Sequence, residues 1–143
     1  MYLLDTNVVS ALRRPDRHPA PAAWLRDQRP SDVYLSVVTV AEIEHGVARQ
    51  MPQDPAFARE LATWMERTLA GFADRLLGVD VPTARRWGRL SATLGHSGAD
   101  LLIAATALEH GLTVVTRNTR HFHPTGAPVL NPFLQAEDQL PSR

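Results

Sequence analysis

Short apolar runs alternate with helical stripes along the whole chain, and this alternation limits the folds open to it more than any other feature. "YLL" (2–4) is a run of the kind a buried parallel strand shows, and a helix is expected from Asn7 to Arg13. After a loop punctuated by Pro15, Pro19 and Pro21, "AAWLRDQ" (22–28) predicts a short helix that buries Trp24 and Leu25. The opening design then repeats in "DVYLSVVTVAEIEHGVARQ" (32–50), a β-rich run to Val38 followed by a helix carrying Val40, Ile43 and Val47 at helical spacing. A third round has a helical stripe over 55–77 with Trp64, Met65 and Phe72 on it, a short strand in "LLGVDV" (76–81), and a helix from Pro82 to Leu94. Lastly, "ADLLIAATALEHG" (99–111) predicts a helix closed by Gly111, "LTVVT" (112–116) a strand, and "PVLNP" (128–132) a final short strand.

The order β-α-α-β-α-α-β-α-α-β predicts an α/β fold, a central and mostly parallel sheet with helices on both faces. With 143 residues and 44% hydrophobic content, the chain is large enough for its own core. No repeat or linker divides it. A single domain is therefore expected over 1–134, with a frayed tail at 135–143.

Composition removes several functions. There is no cysteine, so a metal must be bound through oxygen or imidazole. Neither a secretory signal nor a membrane-spanning run is present, and a cytoplasmic protein is expected. The formal net charge of zero provides no global attraction for nucleic acid or anionic membrane. All 15 basic residues are arginine. Codon bias explains that usage, although guanidinium groups also suit bidentate phosphate contacts. The groupings Arg13, Arg14 and Arg17, then Arg85, Arg86 and Arg89, then Arg117 and Arg120 leave a local basic rim open.

In open parallel sheets, ligands collect beyond the carboxyl ends of the strands. Asp5 follows the first predicted strand, Glu42 lies in the first turn of the helix after the second, and Asp100 opens the helix that leads into the fourth. Thr116, Arg117 and Asn118 follow that fourth strand. Taken singly, each acid has a plain explanation: Asp5 or Thr6 can cap a helix, and acids favour helix N-termini generally. Together they share one edge, where three carboxylates repel unless a cation sits between them. Hard oxygen ligands suit Mg²⁺ or Mn²⁺ rather than zinc, and such an ion promotes phosphodiester hydrolysis. Phosphate-loop, dinucleotide and zinc-protease motifs are absent. His121 and His123, beside Asn118, read first as solvated residues.

The segments "LLDTNVVS", "SVVTVAEIEHGV", "GADLLIAATALEHGLTVVTRNTRHF" and "NPF" occur in this order and span nearly the whole chain. In them the sequence resembles PIN-domain proteins, and among these the VapC and FitB type of toxin from bacterial toxin–antitoxin pairs. The resemblance implies a PIN-like three-layer fold and a metal-dependent ribonuclease with Asp5, Glu42 and Asp100 as its acids. Asp5 and Asp100 would ligate Mg²⁺, or Mn²⁺. Thr6, Asn7, Thr39, Thr116 and Asn118 would form the supporting polar shell, and Arg117, with Arg13 and Arg14, would contact RNA phosphates. A water would attack, leaving 5′-phosphate and 3′-hydroxyl ends. The family often carries a fourth acid where this sequence has neutral Asn118, so one firmly held ion is expected. Implied partners are an RNA substrate, an antitoxin of the VapB or FitA kind, DNA only through that antitoxin, and a second copy of the chain, with no membrane. Helix 55–77 would supply part of the interface or pack only within the domain.

Two rivals stand beside this reading. One is a non-catalytic PIN-like module that binds RNA or antitoxin, motivated by Asn118. The other is a haloacid-type phosphatase with Asp5 as nucleophile, which expects an aspartate where Asn7 stands.

Overall fold

A computed structural model describes residues 1–134; the expected tail at 135–143 lies outside the described residues. Five strands form one sheet there: β1 (Tyr2–Leu4), β2 (Val33–Ser36), β3 (Leu76–Leu77), β4 (Thr113–Val115) and β5 (Val129–Leu130). Their order is β3-β2-β1-β4-β5, and every neighbouring pair is parallel. The chain winds outward from β1 on one side and later returns to its other side, which makes the β1/β4 gap the switch point of the sheet.

Successive strand residues face opposite sides, and this divides the core in two. Leu3 and Val114 pack with Ile103, Ala104, Ala107 and Phe122 on one face, whereas Leu4 and Val115 pack with Val8, Val9, Ile43 and Met65 on the other. The first face is covered by α5 (Val81–Leu94), α6 (Ala99–His110) and α7 (Thr119–Phe122). The second is covered by α1 (Thr6–Leu12), α2 (Pro19–Arg26), α3 (Val37–Gln50) and α4 (Pro55–Gly71). The result is the expected three-layer α/β arrangement.

Several boundaries move, each for a local reason. β2 ends at Ser36 rather than Val38, because the Ser36 hydroxyl accepts from the Val38 amide and caps α3. The β-branched run Val37–Val40 is therefore helical, and Glu42 lies in the second turn of α3, not the first. Helix α2 occupies 19–26 instead of 22–28, since Pro19 fits a first helical turn. It buries Pro21 and Ala22, and leaves Trp24 and Leu25 half-buried, with Trp24 edge-on to Tyr2 at 5.0 Å. Helix α4 stops at Gly71 rather than running to 77, and the short strand expected within 76–81 is β3, two residues long at its start. Met65 is inside the domain's own core, while Trp64 and Phe72 stay half-buried beside a groove of about 250 Å³. Among the described residues, no helix is long and apolar enough to cross a membrane.

The α4-to-β3 turn depends on Arg75. Its guanidinium donates to the carbonyls of Pro30, Val33 and Gly71, and it lies 4.6 Å over the Phe72 ring. The side chain is 14% exposed, so these acceptors have little water to turn to. Arg75→Ala is expected to lower stability by about 2 kcal/mol, measured as a drop in urea midpoint without a change in slope.

Candidate functional site

Asp5 continues the β1 ladder, its amide donating to the Val115 carbonyl at 2.9 Å, and its extended backbone then caps α1. That places its side chain at the switch point. Oδ1 accepts from the Thr6 amide at 2.8 Å, while Oδ2 accepts from the Thr116 hydroxyl at 2.8 Å and the Asn7 amide nitrogen at 3.1 Å. Thr116 in turn accepts from the Asn118 amide at 2.9 Å, and the Asn7 carbonyl oxygen accepts from the Arg117 amide at 3.3 Å. One carboxylate thus ties the end of β1 to the end of β4, across 111 residues of sequence.

Asp5 is only 4% exposed, and every donor that holds it is neutral. Burial pushes its pKa above the usual carboxylate value; the bonds from Thr116 and Thr6 oppose this, and the charges of Asp100 and Glu42 add to it. The three predicted acids therefore share one electrostatic neighbourhood.

Glu42 is exposed and reaches this neighbourhood from α3, where its Oε1 accepts from the Thr6 hydroxyl at 2.7 Å. With the Thr6 proton committed, buried Thr39 is the donor in the 3.0 Å contact between the two hydroxyls. Asp100 sits in the first turn of α6, a helix whose Leu101, Ile103 and Ala104 are fully buried. Its Oδ2 lies 3.0 Å from Nδ1 of His121. The Asn118 side chain makes no hydrogen bond among the described residues, and only its backbone is engaged.

The structure does not draw the acids into one closed ligand set. Among the described residues, no three carboxylates or imidazoles converge so as to hold one ion. Glu42 is turned to Thr6 and Asp100 to His121, while Asp5 alone is locked. In donor chemistry the residues nevertheless fit a hard divalent cation. All three are oxygen donors, and the Asp5 charge, disfavoured first by burial and then by two neighbouring carboxylates, is what such a cation relieves.

Each of the arginines expected to contact RNA makes a local contact of its own. Arg117 lies 3.8 Å over the Phe133 ring, which the Asn131 side chain fixes by accepting from the Phe133 amide at 2.9 Å. The "NPF" segment thus acts as a seat for Arg117. Arg13 caps the far end of α1 and stacks on Phe57 at 5.2 Å, and Arg14 pairs with Asp16 at 3.6 Å. His121, read from the sequence as a solvated residue, and Arg120, grouped there with Arg117, are brought by α7 beside Asp100. The signal available was "TRNTRHF", a helical turn that starts directly after a strand end.

Comparison with known proteins bears on these observations. The PIN domain family matches residues 2–126. The VapC ribonuclease Y4jK of Sinorhizobium fredii is 37% identical, over 93% of this chain and 98% of its own. Toxin FitB of Neisseria gonorrhoeae is 38% identical, over 93% of this chain and 99% of its own. Among solved structures, FitAB bound to the IR36 DNA fragment superposes with a TM-score of 0.81 at 39% identity, covering 94% of this chain and 97% of that one.

Proposed function

The chain belongs to the PIN-domain family, and from that premise we propose that it is a metal-dependent endoribonuclease, the toxin of a toxin–antitoxin pair. The observation that carries the reading is Asp5, a buried carboxylate locked at the switch point by neutral donors while Glu42 and Asp100 bear on it. A site that concentrates negative charge in this way is organised around a cation.

Mg²⁺, or Mn²⁺, would be held by Asp5 and Asp100, and when bound it supplies charge stabilisation at phosphorus and makes a water easier to deprotonate. Glu42, oriented by Thr6 and Thr39, accepts the proton of the attacking water. Asn7 and Thr116 fix the Asp5 carboxylate, and His121 orients Asp100. The free amide of Asn118 positions waters at the same edge but adds no charge, which favours one firmly held ion over two. The reaction is phosphodiester hydrolysis that leaves 5′-phosphate and 3′-hydroxyl ends. An antitoxin of the VapB or FitA kind and DNA reached through it are proposed as partners on the strength of the FitAB–DNA neighbour, and a second copy of the chain completes the set.

The test is cleavage of a mixed RNA panel by the chain freed of any partner, with Mg²⁺, with Mn²⁺ and with chelator. Cleavage should need a metal. Asp100→Asn should reduce it by about a hundredfold, because a ligand matters at least as much as the outer groups that orient it. Its circular dichroism should stay unchanged, since Asp100 is partly exposed. Asn118 favours a second reading, a module that binds RNA or antitoxin without cutting, and retention of RNA with no cleavage under either metal would establish it.

A further inference from the structure

We propose that the cleft beside Asp100 is a nucleotide subsite that seats one unpaired RNA nucleotide next to the scissile phosphate, with Arg120 on a phosphate and His96, Leu94 and Pro124 against the base. The proposal rests on the ribonuclease reading above and names where the substrate lies.

The cleft is about 420 Å³ and is lined by Leu94, His96, Asp100, Arg120, His121 and Pro124. This falls in the range of small-ligand pockets, roughly 300–1,000 Å³. Because Asp100 forms part of its wall, a strand lying in the cleft passes one of the three acids directly. The His121 contact to Asp100 ties α7 to that wall.

Position and charge together assign the phosphate to Arg120, the arginine in the lining of the cleft. Arg14, Arg29, Arg75 and Arg86 each pair with a carboxylate, and Arg13 and Arg117 lie over aromatic rings. Arg120 is exposed and has no carboxylate partner among the described residues. Its neighbour Phe122 is fully buried, so the root of Arg120 is anchored while its head faces the cleft. With a formal net charge of zero, the chain as a whole offers a polyanion no net attraction. An unpaired guanidinium within one cleft of the acids is the local substitute, and its planar fork suits phosphate.

The remaining lining suits a base. Gly95 closes α5 in the left-handed conformation at φ 77°, turning the chain so that His96 faces back over the cleft. Its ring is tethered by the Gly98 amide, which donates to Nδ1 at 3.4 Å. Half-buried Leu94 and exposed Pro124 supply apolar surface around it. Planar and apolar side chains of this kind hold bases by stacking and contact, which an unstacked single strand offers and a duplex does not.

The experiment measures cleavage kinetics on single-stranded RNA of random sequence with Mg²⁺, comparing wild type with His96→Ala, Arg120→Ala, Arg117→Ala and, as a charge control on the exposed side of α4, Arg59→Ala. His96→Ala and Arg120→Ala should raise KM about fivefold or more, with kcat and the Mg²⁺ midpoint unchanged. Arg120→Ala should also flatten the dependence of log(kcat/KM) on log salt by about 0.7, the share of one phosphate on a single strand. The proposal is overturned, with the ribonuclease reading intact, if KM stays at the wild-type value in both variants. It is equally overturned if the loss falls on kcat or the Mg²⁺ midpoint, or if Arg117→Ala or Arg59→Ala matches Arg120→Ala. If the wild type cuts no RNA under any metal, both readings fall together.

Discussion

Asp5→Ala is expected to lose metal-dependent cleavage by about a hundredfold or more and to lose its thermal response to Mg²⁺ as well. Asp5 does two things at once: it joins β1 to β4 through Thr116, and it carries a charge that burial disfavours. Its folded-state pKa is raised. The sign follows: in chelator, its contribution to stability is complete below the ordinary carboxylate range and is lost as pH rises through the raised folded value. Once ionised in the metal-free protein, Asp5 is an unfavourable buried charge, which a bound cation offsets. Mg²⁺ should raise the wild-type Tm near neutral pH and leave Asp5→Ala unmoved, and calorimetric titration should find no Mg²⁺ binding in the variant. An equal Tm rise in both proteins would remove Asp5 from the metal site.

Phe122→Ala is expected to be the most destabilising single substitution in α7, costing about 3–5 kcal/mol and lowering Tm by roughly 10 °C or more. The ring is fully buried against the face that holds Leu3, Ile103 and Val114. The turn after it is closed by bonds from the Thr125 hydroxyl to the Phe122 carbonyl and from the Ala127 amide to that hydroxyl. Because α7 is four residues long, it has no other buried side chain with which to hold its place. Loss of the ring should release His121 from Asp100 and Arg120 from the cleft. Activity measured well below the new Tm should fall too, whereas Phe122→Leu should recover most of both. Chemical denaturation followed by circular dichroism gives the first number, and RNA cleavage at low temperature the second.

What could be read in the sequence and what could not divides along contact range. The strand, polar corner and helix around Asp5 is local, and its residues fall where the pattern expects them. The same holds for Thr39 and for Thr116 at the end of β4. Glu42 was placed a turn too early because Val37–Val40 carries β-branched residues that favour strands, and a single hydroxyl, Ser36, overrides them as a cap. Arg117 follows the acid-bearing edge, where a phosphate contact is expected; the ring beneath it comes from Phe133, beyond β5, which no local pattern shows. The bond of His121 to Asp100 joins helices 21 residues apart, and no periodicity encodes it. Short elements such as α7 carry too few residues to show a period at all.

The switch-point topology also sets an order of events while the chain is being made. Asp5 leaves the ribosome more than a hundred residues ahead of its hydroxyl partner Thr116 and the adjoining β4. A nascent or truncated chain that ends before Thr113 has β1 and Glu42, yet lacks the strand beside β1 and the Thr116 bond that holds the Asp5 carboxylate in place. The site of the proposed nuclease is thus assembled only after β4 has been made, and until then Asp5 lacks both its neighbouring strand and its Thr116 donor.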